Sequence, residues 1–581
     1  MNHESKKLDT PIPVTQKMEE LFKNNDFIVP NYQRNYAWQN GEISDFWDDL
    51  SDIFNGYRDG HFFGQIVTYR NENHVQEIID GQQRLTTSII FQSVLRDIAN
   101  EIRRNNVDKI AEDTQKKLIR IDSNSEEIIC GEDGEANTLL VQKTSEDSRK
   151  DLRIFFQNLT KHKYGNDFSC DASSIPMKNM YNAYRQLKKS VEEELQKFSS
   201  IAERVDKLKK ISDAFIKRFY VIMLSTESKR DAFIIFETLN SRGRDLAASD
   251  IIKNHIMYIV SDNIEPINKK WQYISAVLKD NSSRLTRFIK TYWAARNRLV
   301  PEAKLYKSLS GKITKKTDAF DFVNDLDELV SLYDMLENPT ANKKNREFFQ
   351  DKELMRLITI LNKLGVKLYY PIMLAMSKKQ YSESTMKQVL NMVLRVFVRH
   401  RTIIYEGTNT LEKGYANVAA KIYSEELVGS IEINNYMRET LYKNNKDVEN
   451  AHLVLSKDLK TTGHKKWTLV YLLQEYYDYW KDSNGKLYQM TFVDDNYVPC
   501  HIKEENIDND LINYVGNYTL IEKKLVNKLD KANTDLKRAQ VMRESRLEIN
   551  KQLAESLERG WSNEKIEERQ AKMTAVTTKI W

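Results

Sequence analysis

The sequence predicts an α+β chain with three parts: a mixed N-terminal domain, a large all-helical middle, and a mostly helical C-terminal domain containing one strand–strand–helix element. Three observations predict it. Short runs rich in aromatic and β-branched residues, "HFFGQIVTYR", "VQEIID" and "FYVIML", fall within the first 230 residues. From about residue 256 to 480, apolar residues recur at helical spacing in one segment after another, with few Gly or Pro. The last hundred residues change again, from the loop-rich "VDDNYVPCHIKEEN" through "VGNYTLIEKKLVNKL" to charged helices.

Taken in order, "HFFGQIVTYR" and "VQEIID", separated by the polar "NENH", form a hairpin. Leu85, Ile89, Ile90, Val94 and Ile98 then keep helical spacing, so Asp80 to Arg84 sit where a strand ends and a helix begins. A charged helical excursion follows from about 100 to 215, with "SNSEEIICGEDGEAN" as a loop. Leu195, Phe198, Ile201, Val205, Leu208, Ile211 and Phe215 mark one amphipathic helix that leads into the buried strand "FYVIML". The segment "RDAFIIFETLNSRGRDLAASDIIKNHI" reads helix, polar loop, helix, with Ser249 or Asp250 as the cap of the second helix. In the middle, "LMRLITILNKLG" and "MKQVLNMVLRVFVRH" typify the helices, and no fixed repeat supports a solenoid. The expected domains are residues 1–260, 261–440 and 441–581.

Composition narrows the class. The 581 residues are 40% hydrophobic and 30% charged, enough for real cores under a heavily charged surface. Net charge is +5, mildly basic and compatible with nucleic acid. Cys130, Cys170 and Cys500 are far apart, with no CxxC pair, which argues against a disulfide framework or structural zinc site and fits a reducing cytoplasm. The N-terminal "MNHESKKLDT" is too polar for a signal peptide, and no apolar run reaches the roughly 20 residues of a membrane span. The expectation is a soluble cytoplasmic protein.

Three polar clusters in the first 255 residues share a style. They are "IVPNYQRNYAW", with Pro30, Tyr32, Gln33, Arg34 and Trp38; Asp80-Gly81-Gln82-Gln83-Arg84; and "FETLNSRGRDL", with Phe236, Glu237, Asn240, Arg242 and Gly243. Each joins an Arg to side-chain amides. Arg offers a planar donor fork suited to phosphate, and backbone N–H groups at a helix start attract anions. Gly81 lets backbone approach a ligand with no Cβ in the way. Asp80 can hold a metal through water, orient Arg84 or position an attacking water; the amides can read a base edge or fix a nucleophilic water. Asp-Gly is also an ordinary turn, and Gln-Gln can simply cap a helix. Three such clusters in one domain point to a ligand instead, because a core has little use for them. No GxxxxGK[ST] loop is present, so a nucleotide is not bound by a Walker-type loop.

In the tail, His501 is followed by Gly516-Asn517 and Asn527 in a strand–loop–helix setting. One His with two Asn there suggests an HNH-like ββα-metal nuclease, in which His activates water, one Asn orients it and the last position helps to hold a divalent metal. A surface histidine and two loop asparagines give the same spacing. Between residues 522 and 546, eight Lys/Arg face four Asp/Glu, a basic patch consistent with phosphate contacts.

Together, "VPNYQRNYAW", "FFGQIV…IIDGQQRLTT" and "FETLNSRGRDLAASDIIKN" resemble, in order and wording, the GmrS-type domain of modification-dependent (type IV) restriction proteins, over residues 12 to 260. The tail resembles the partner GmrD-type, HNH-like domain in "VGNYTLIEKKLVNKL", in "SRLEINKQL" and in the pattern formed by Trp561, Ile566, Arg569, Ile580 and Trp581. The resemblance implies a ParB/sulfiredoxin-like fold for the first domain and an HNH-like ββα element in the last. It implies nucleoside-triphosphate (GTP or ATP) hydrolysis with Mg²⁺ or another divalent cation, and sensing of modified phage DNA. Asp80, Gly81, Gln82, Gln83 and Arg84 match the hydrolytic DGQQR signature, Gln33 and Arg34 the upstream QR, and Asn240 and Gly243 the LNxxG element. His501 would be the general base, with Asn517 and Asn527 as the remaining motif positions; Asp80 and Asn527 are the implied metal ligands. One departure stands out. Where the family reads "EHILP", this chain reads "VPCHIKEEN": Cys500 replaces the acid, and Lys503 and Glu504 replace Leu-Pro. The nuclease centre is then weakened, rebuilt from Asp494, Asp495 or Glu504, or dead.

The expected function is anti-phage restriction: NTP hydrolysis in the first domain, coupled to nicking or cleavage of modified double-stranded DNA by the last. The alternative is a DNA-binding, modification-sensing module with an inactive nuclease-like tail. A homo-oligomer is compatible with either.

Overall fold

The computed structural model describes residues 12–30, 33, 35–72, 74–106, 110–130, 140–142, 150–161, 174–240, 247–260, 264–457, 464–480 and 496–581. The chain divides into two compact units, 1–283 with 306–323, and 284–305 with 324–581. The architecture is α+β: a mixed sheet in the first unit and an otherwise helical body. No helix among the described residues is long and apolar enough to cross a membrane.

The elements of the first unit run β1 (Val14–Lys17), α1 (Met18–Lys23), β2 (Phe27–Val29), α2 (Asn40–Phe54), β3 (His61–Arg70), β4 (Gln76–Asp80), α3 (Gln82–Asn105), α4 (Glu112–Cys130), β5 (Leu140–Gln142), α5 (Lys150–Lys161), α6 (Ile175–Gln196), α7 (Ile201–Arg218), β6 (Phe219–Thr226), α8 (Lys229–Asn240) and α9 (Ala248–Ile259). The six strands form one sheet in the order β1-β6-β3-β4-β2-β5. β3 and β4 make the expected antiparallel hairpin, and β3 lies parallel to β6. One face of the sheet packs on α2, α3 and α7 through an aromatic knot. Phe46, Phe63, Phe91, Phe215 and Phe219 meet with ring centroids 5.3 to 5.9 Å apart, mostly edge-to-face, the geometry their quadrupoles favour.

Helix α3 is buried along most of its length, and its apolar residues Leu85, Ile89, Ile90, Val94 and Ile98 lie in the core as their spacing predicts. Its second half binds the helical excursion. Arg96, 1% exposed, pairs with Asp97 at 2.8 Å and Glu126 at 3.2 Å and donates to the Thr160 carbonyl at 2.7 Å. Tyr184 donates to the other Asp97 oxygen at 2.7 Å. This buried charge is paired and hydrogen-bonded on all sides, the condition under which burial is tolerated.

Three local expectations differ from the structure. "SNSEEIIC" is the last part of α4, because Ile121, Ser125, Ile128 and Ile129 extend one buried helical face; the remainder of that predicted loop lies outside the described residues. The long amphipathic helix is broken between α6 and α7, where Ser200 accepts from the Glu203 N–H and Glu203 reaches back, a capping box that starts a new helix. Neither Ser249 nor Asp250 caps α9. The cap position is Ala247, and the buried Ser249 hydroxyl donates to the Ser282 carbonyl at 3.1 Å instead.

The second unit is built from helices of which Lys352–Lys363 and Glu383–Phe397 are the two anticipated examples. The latter continues as a π-helix, Val398–Ile403. Near the end of the unit, β7 (Tyr497–His501) and β8 (Tyr518–Glu522) pair antiparallel, and the helix Lys523–Asp530 follows at once, a strand–strand–helix element.

Candidate functional site

At the end of β4 the hairpin register slips. Val67 faces Asp80, but Thr68 faces Ile78, so Ile79 is an extra, bulged residue. Side chains alternate across a strand, so the extra residue turns Asp80 to the face opposite Ile78 and the core. A bulge leaves a backbone group without its ladder partner. Gln33 supplies one: its amide donates to the Ile79 carbonyl at 2.9 Å and the Ile78 carbonyl at 3.3 Å. The QR cluster thus supports the bend that aims Asp80.

Gly81 then adopts φ +101°, open to glycine and strained for other residues; a Cβ there would lie 3.0 Å from Ile66 Cγ1. It starts α3, and no side chain caps that start. The first N–H groups of a helix have no intrahelical partner, and they carry the positive end of the helix dipole. The two glutamines that follow do different work. Gln83 faces the protein: its oxygen accepts from the Ala37 N–H at 2.7 Å and its amide donates to the Asn35 carbonyl at 3.2 Å. One turn on, Thr87 meets the Tyr36 hydroxyl at 2.8 Å. This pair fastens the segment before α2 to the start of α3. Gln82 faces none of this. It is 4% exposed, and neither its amide nitrogen nor its oxygen has a hydrogen-bond partner among the described residues. Thr86, at i+4 on the same face, has a fully buried hydroxyl in the same condition.

Arg84 completes the group. It donates to the Gln65 carbonyl at 2.6 Å and lies 3.5 Å from the Asp80 carboxylate. Gly64, at φ +109°, makes room for it: a Cβ there would sit 2.3 Å from Arg84 Nη1. Neither Gly64 nor Thr86 stood out in the sequence reading, although a glycine inside "HFFGQIV" signals a bulge or a close approach. Of the other predicted positions, Arg34, Gly243 and the side chain of Asn240 lie outside the described residues. Gln33, Asp80, Gly81, Gln82, Gln83 and Arg84 are brought together.

An uncapped helix start, a guanidinium fork and a buried unpartnered amide suit a phosphorylated ligand. One carboxylate beside them suits a Mg²⁺ shared with phosphate oxygens, since that ion commonly uses one or two carboxylates and the substrate.

The tail is arranged differently. His501 ends β7 and stacks on Tyr518 with ring centroids 4.3 Å apart. Its Nδ1 lies 2.6 Å from Glu504 and its Nε2 3.2 Å from the Asn513 side-chain oxygen. Asn517 is fully buried: its amide donates to the Lys503 and Ile512 carbonyls at 2.8 and 3.0 Å, and its oxygen accepts from the Trp561 indole at 3.1 Å. Arg569 donates to the Gly516 and Tyr518 carbonyls at 2.7 and 2.8 Å. A Cβ on Gly516 would strike the Ile566 carbonyl at 2.7 Å. The Trp–Ile–Arg pattern is therefore a clamp on the Gly516-Asn517 turn. Asn527 is exposed on the following helix. Burial pushes the Cys500 thiol up to about 12, so it is protonated at neutral pH. Among the described residues no group of three or more His, Cys, Asp or Glu is placed to hold a metal; Asp494 and Asp495 lie outside them.

No curated protein matches the chain. The profile of the family described as "GmrSD restriction endonuclease, N-terminal domain" matches residues 18–257, a span that holds all three polar clusters and runs from α1 into α9. Residues 18–257 are thus similar to the N-terminal domain of GmrSD restriction endonucleases.

Proposed function

We propose that this chain is a restriction-type defence protein whose N-terminal unit binds and hydrolyses a nucleoside triphosphate, GTP or ATP, at the start of α3, and whose tail acts on modified foreign DNA. The observation that carries the first half is Gln82, buried on both amide atoms with no partner beside an uncapped helix start. An unmet buried polar group costs about 1–3 kcal/mol, which a ligand in contact with it recovers. In this reading the α3 backbone N–H groups and Arg84 take the phosphates. Gln82 orients the water that attacks the γ-phosphorus as the bond to the leaving diphosphate breaks, and Asp80 holds Arg84 in place. A divalent cation held by Asp80 and the phosphates would neutralise the charge on the triphosphate oxygens. Gln33 and Gln83 act through the backbone they position.

The test is phosphate release by the full chain with each NTP and Mg²⁺. Gln82→Ala and Arg84→Ala are expected to lose activity by about 10²-fold or more, as for removal of one stabilising donor. Wild-type rates in folded variants of both would remove the site.

A second reading, a DNA-sensing module with an inactive nuclease-like tail, is favoured by one observation: every polar group of the Gly516-Asn517 turn is engaged in holding the turn. Modified and unmodified phage DNA, each with and without NTP and divalent cation, separate the two readings. Strand breaks that vanish in His501→Ala support the HNH-like assignment. DNA binding and phosphate release without breaks support the second.

A further inference from the structure

The sheet face turned away from the aromatic knot is open at its β1-β6-β3 end. The register places Lys17 of β1 opposite Tyr220 of β6, and Tyr220 opposite Phe62 of β3, so the three side chains stand abreast on one face. Phe62 is 48% exposed and Tyr220 37%, while their neighbours Phe219 and Val221 point into the core. The two exposed rings lie side by side, centroids 6.0 Å apart and 35° from parallel. Gly60 backs the arrangement: a Cβ there would come within 3.3 Å of the Tyr220 ring. Lys17 and Arg218 are exposed, and the nearby Glu20 carboxylate accepts from the Lys17 backbone N–H at 3.2 Å. Four residues further along β6, about 13 Å by strand rise, Leu224, Val67 and Asp80 occupy a row of the same face.

We propose that Phe62 and Tyr220 form a stacking platform for an unpaired nucleobase of DNA, with Lys17 and Arg218 on its phosphates. Charge decides the occupant. An apolar protein partner gains nothing from the exposed Lys17 cation beside the rings, with Arg218 two residues before Tyr220, whereas a nucleotide has both a π-face and a negative charge to offer. The platform rests on DNA as the partner proposed above and does not depend on the nucleotide site.

Labelled duplexes with one extrahelical base, their fully paired counterparts and single strands are titrated by fluorescence anisotropy at fixed salt, with full-length protein. The wild type is expected to prefer the unpaired base. Phe62→Ala/Tyr220→Ala is expected to bind it at least about tenfold more weakly while fully paired DNA is little affected. Phe62→Tyr/Tyr220→Phe restores the preference, and a 5-iodouracil at the extrahelical position crosslinks to Phe62 or Tyr220. Unchanged affinity in the double alanine variant, with crosslinks elsewhere, overturns the platform. So does loss of self-association with DNA affinity intact, which makes the face an interface between copies. A wild type that binds none of the probes overturns the platform together with DNA as partner, while phosphate release by wild type and Gln82→Ala still tests the nucleotide site separately.

Discussion

The Asp80–Arg84 turn and the Gly516-Asn517 turn each follow or precede a strand, and each carries an Asn or Gln where a ligand is expected. They differ in what those amides do. In the tail every donor and acceptor of Asn517 is matched inside the protein, and Arg569 and Gln570 take up the neighbouring backbone. At the start of α3, Gln83 is matched in the same way, but Gln82 beside it is not. A motif residue whose hydrogen bonds close within the fold is holding the fold; one left open in a buried place is holding something else.

The largest expected effect tests the closed side of this contrast. Asn517→Leu keeps the volume but strands the Lys503 and Ile512 carbonyls and the Trp561 indole N–H. The cost is expected to be about 3–5 kcal/mol, read by urea unfolding of the full chain with Trp fluorescence. A loss below about 1 kcal/mol would mean that the turn is held by other contacts and that Asn517 is spare for chemistry.

A second effect concerns the second unit, which buries titratable groups of opposite sign. Burial holds His452 down at about 3 and Glu475 up at about 7, the latter despite the nearby Arg356. Between pH 3 and 6.5 the unfolded state binds the extra proton at His452, so stability rises with pH there. Between pH 4.5 and 7 the folded state keeps a proton at Glu475 that the unfolded state loses, so stability falls with rising pH. The two slopes, about 1.4 kcal/mol per pH unit each, cancel from 4.5 to 6.5. Asp478, pushed up to about 6 by burial, opposes His452 in the same way from pH 3.8 to 6 and is present in both proteins. Glu475→Gln is therefore expected to follow the wild-type profile below pH 4.5 and pull ahead of it between 4.5 and 7, ending about 3 kcal/mol above wild type at pH 7.5. Superimposable profiles would show that Glu475 is ionised in the fold.

The contrast also explains what was legible beforehand. "IIDGQQR" could be placed at a strand–helix boundary because turn chemistry and helical spacing are local. Gly516-Asn517, too, could be placed in a strand–loop–helix setting. What the two glutamines face could not be read. That depends on the Ile79 bulge, which sets the face of Asp80, and on Asn35 and Ala37, which are brought to Gln83 only by the fold. For the same reason the Trp561–Arg569 pattern could be recognised as a signature, but its role as a clamp on Gly516 depends on a contact across more than 40 residues. The break at Ser200 was local and readable: Ser-x-x-Glu is a capping box, and the apolar spacing on both sides concealed it.

The smallest expected effect is the most direct test, because it compares two adjacent residues. Gln83→Leu breaks the bonds to Ala37 and Asn35, and the chain should lose about 1–2 kcal/mol. Gln82→Leu removes an amide that has no partner to lose, so the free protein should gain about 1–2 kcal/mol in thermal or urea unfolding. Adding nucleotide reverses the order of wild type and Gln82→Leu and leaves the Gln83→Leu deficit unchanged. Binding to the native state alone stabilises it by an amount set by the ligand-to-Kd ratio, so wild type and Gln83→Leu should both gain from NTP and Mg²⁺, Gln82→Leu much less. Equal losses in both variants, with equal gains from nucleotide, would make the glutamines interchangeable structural groups and move the ligand site away from the start of α3.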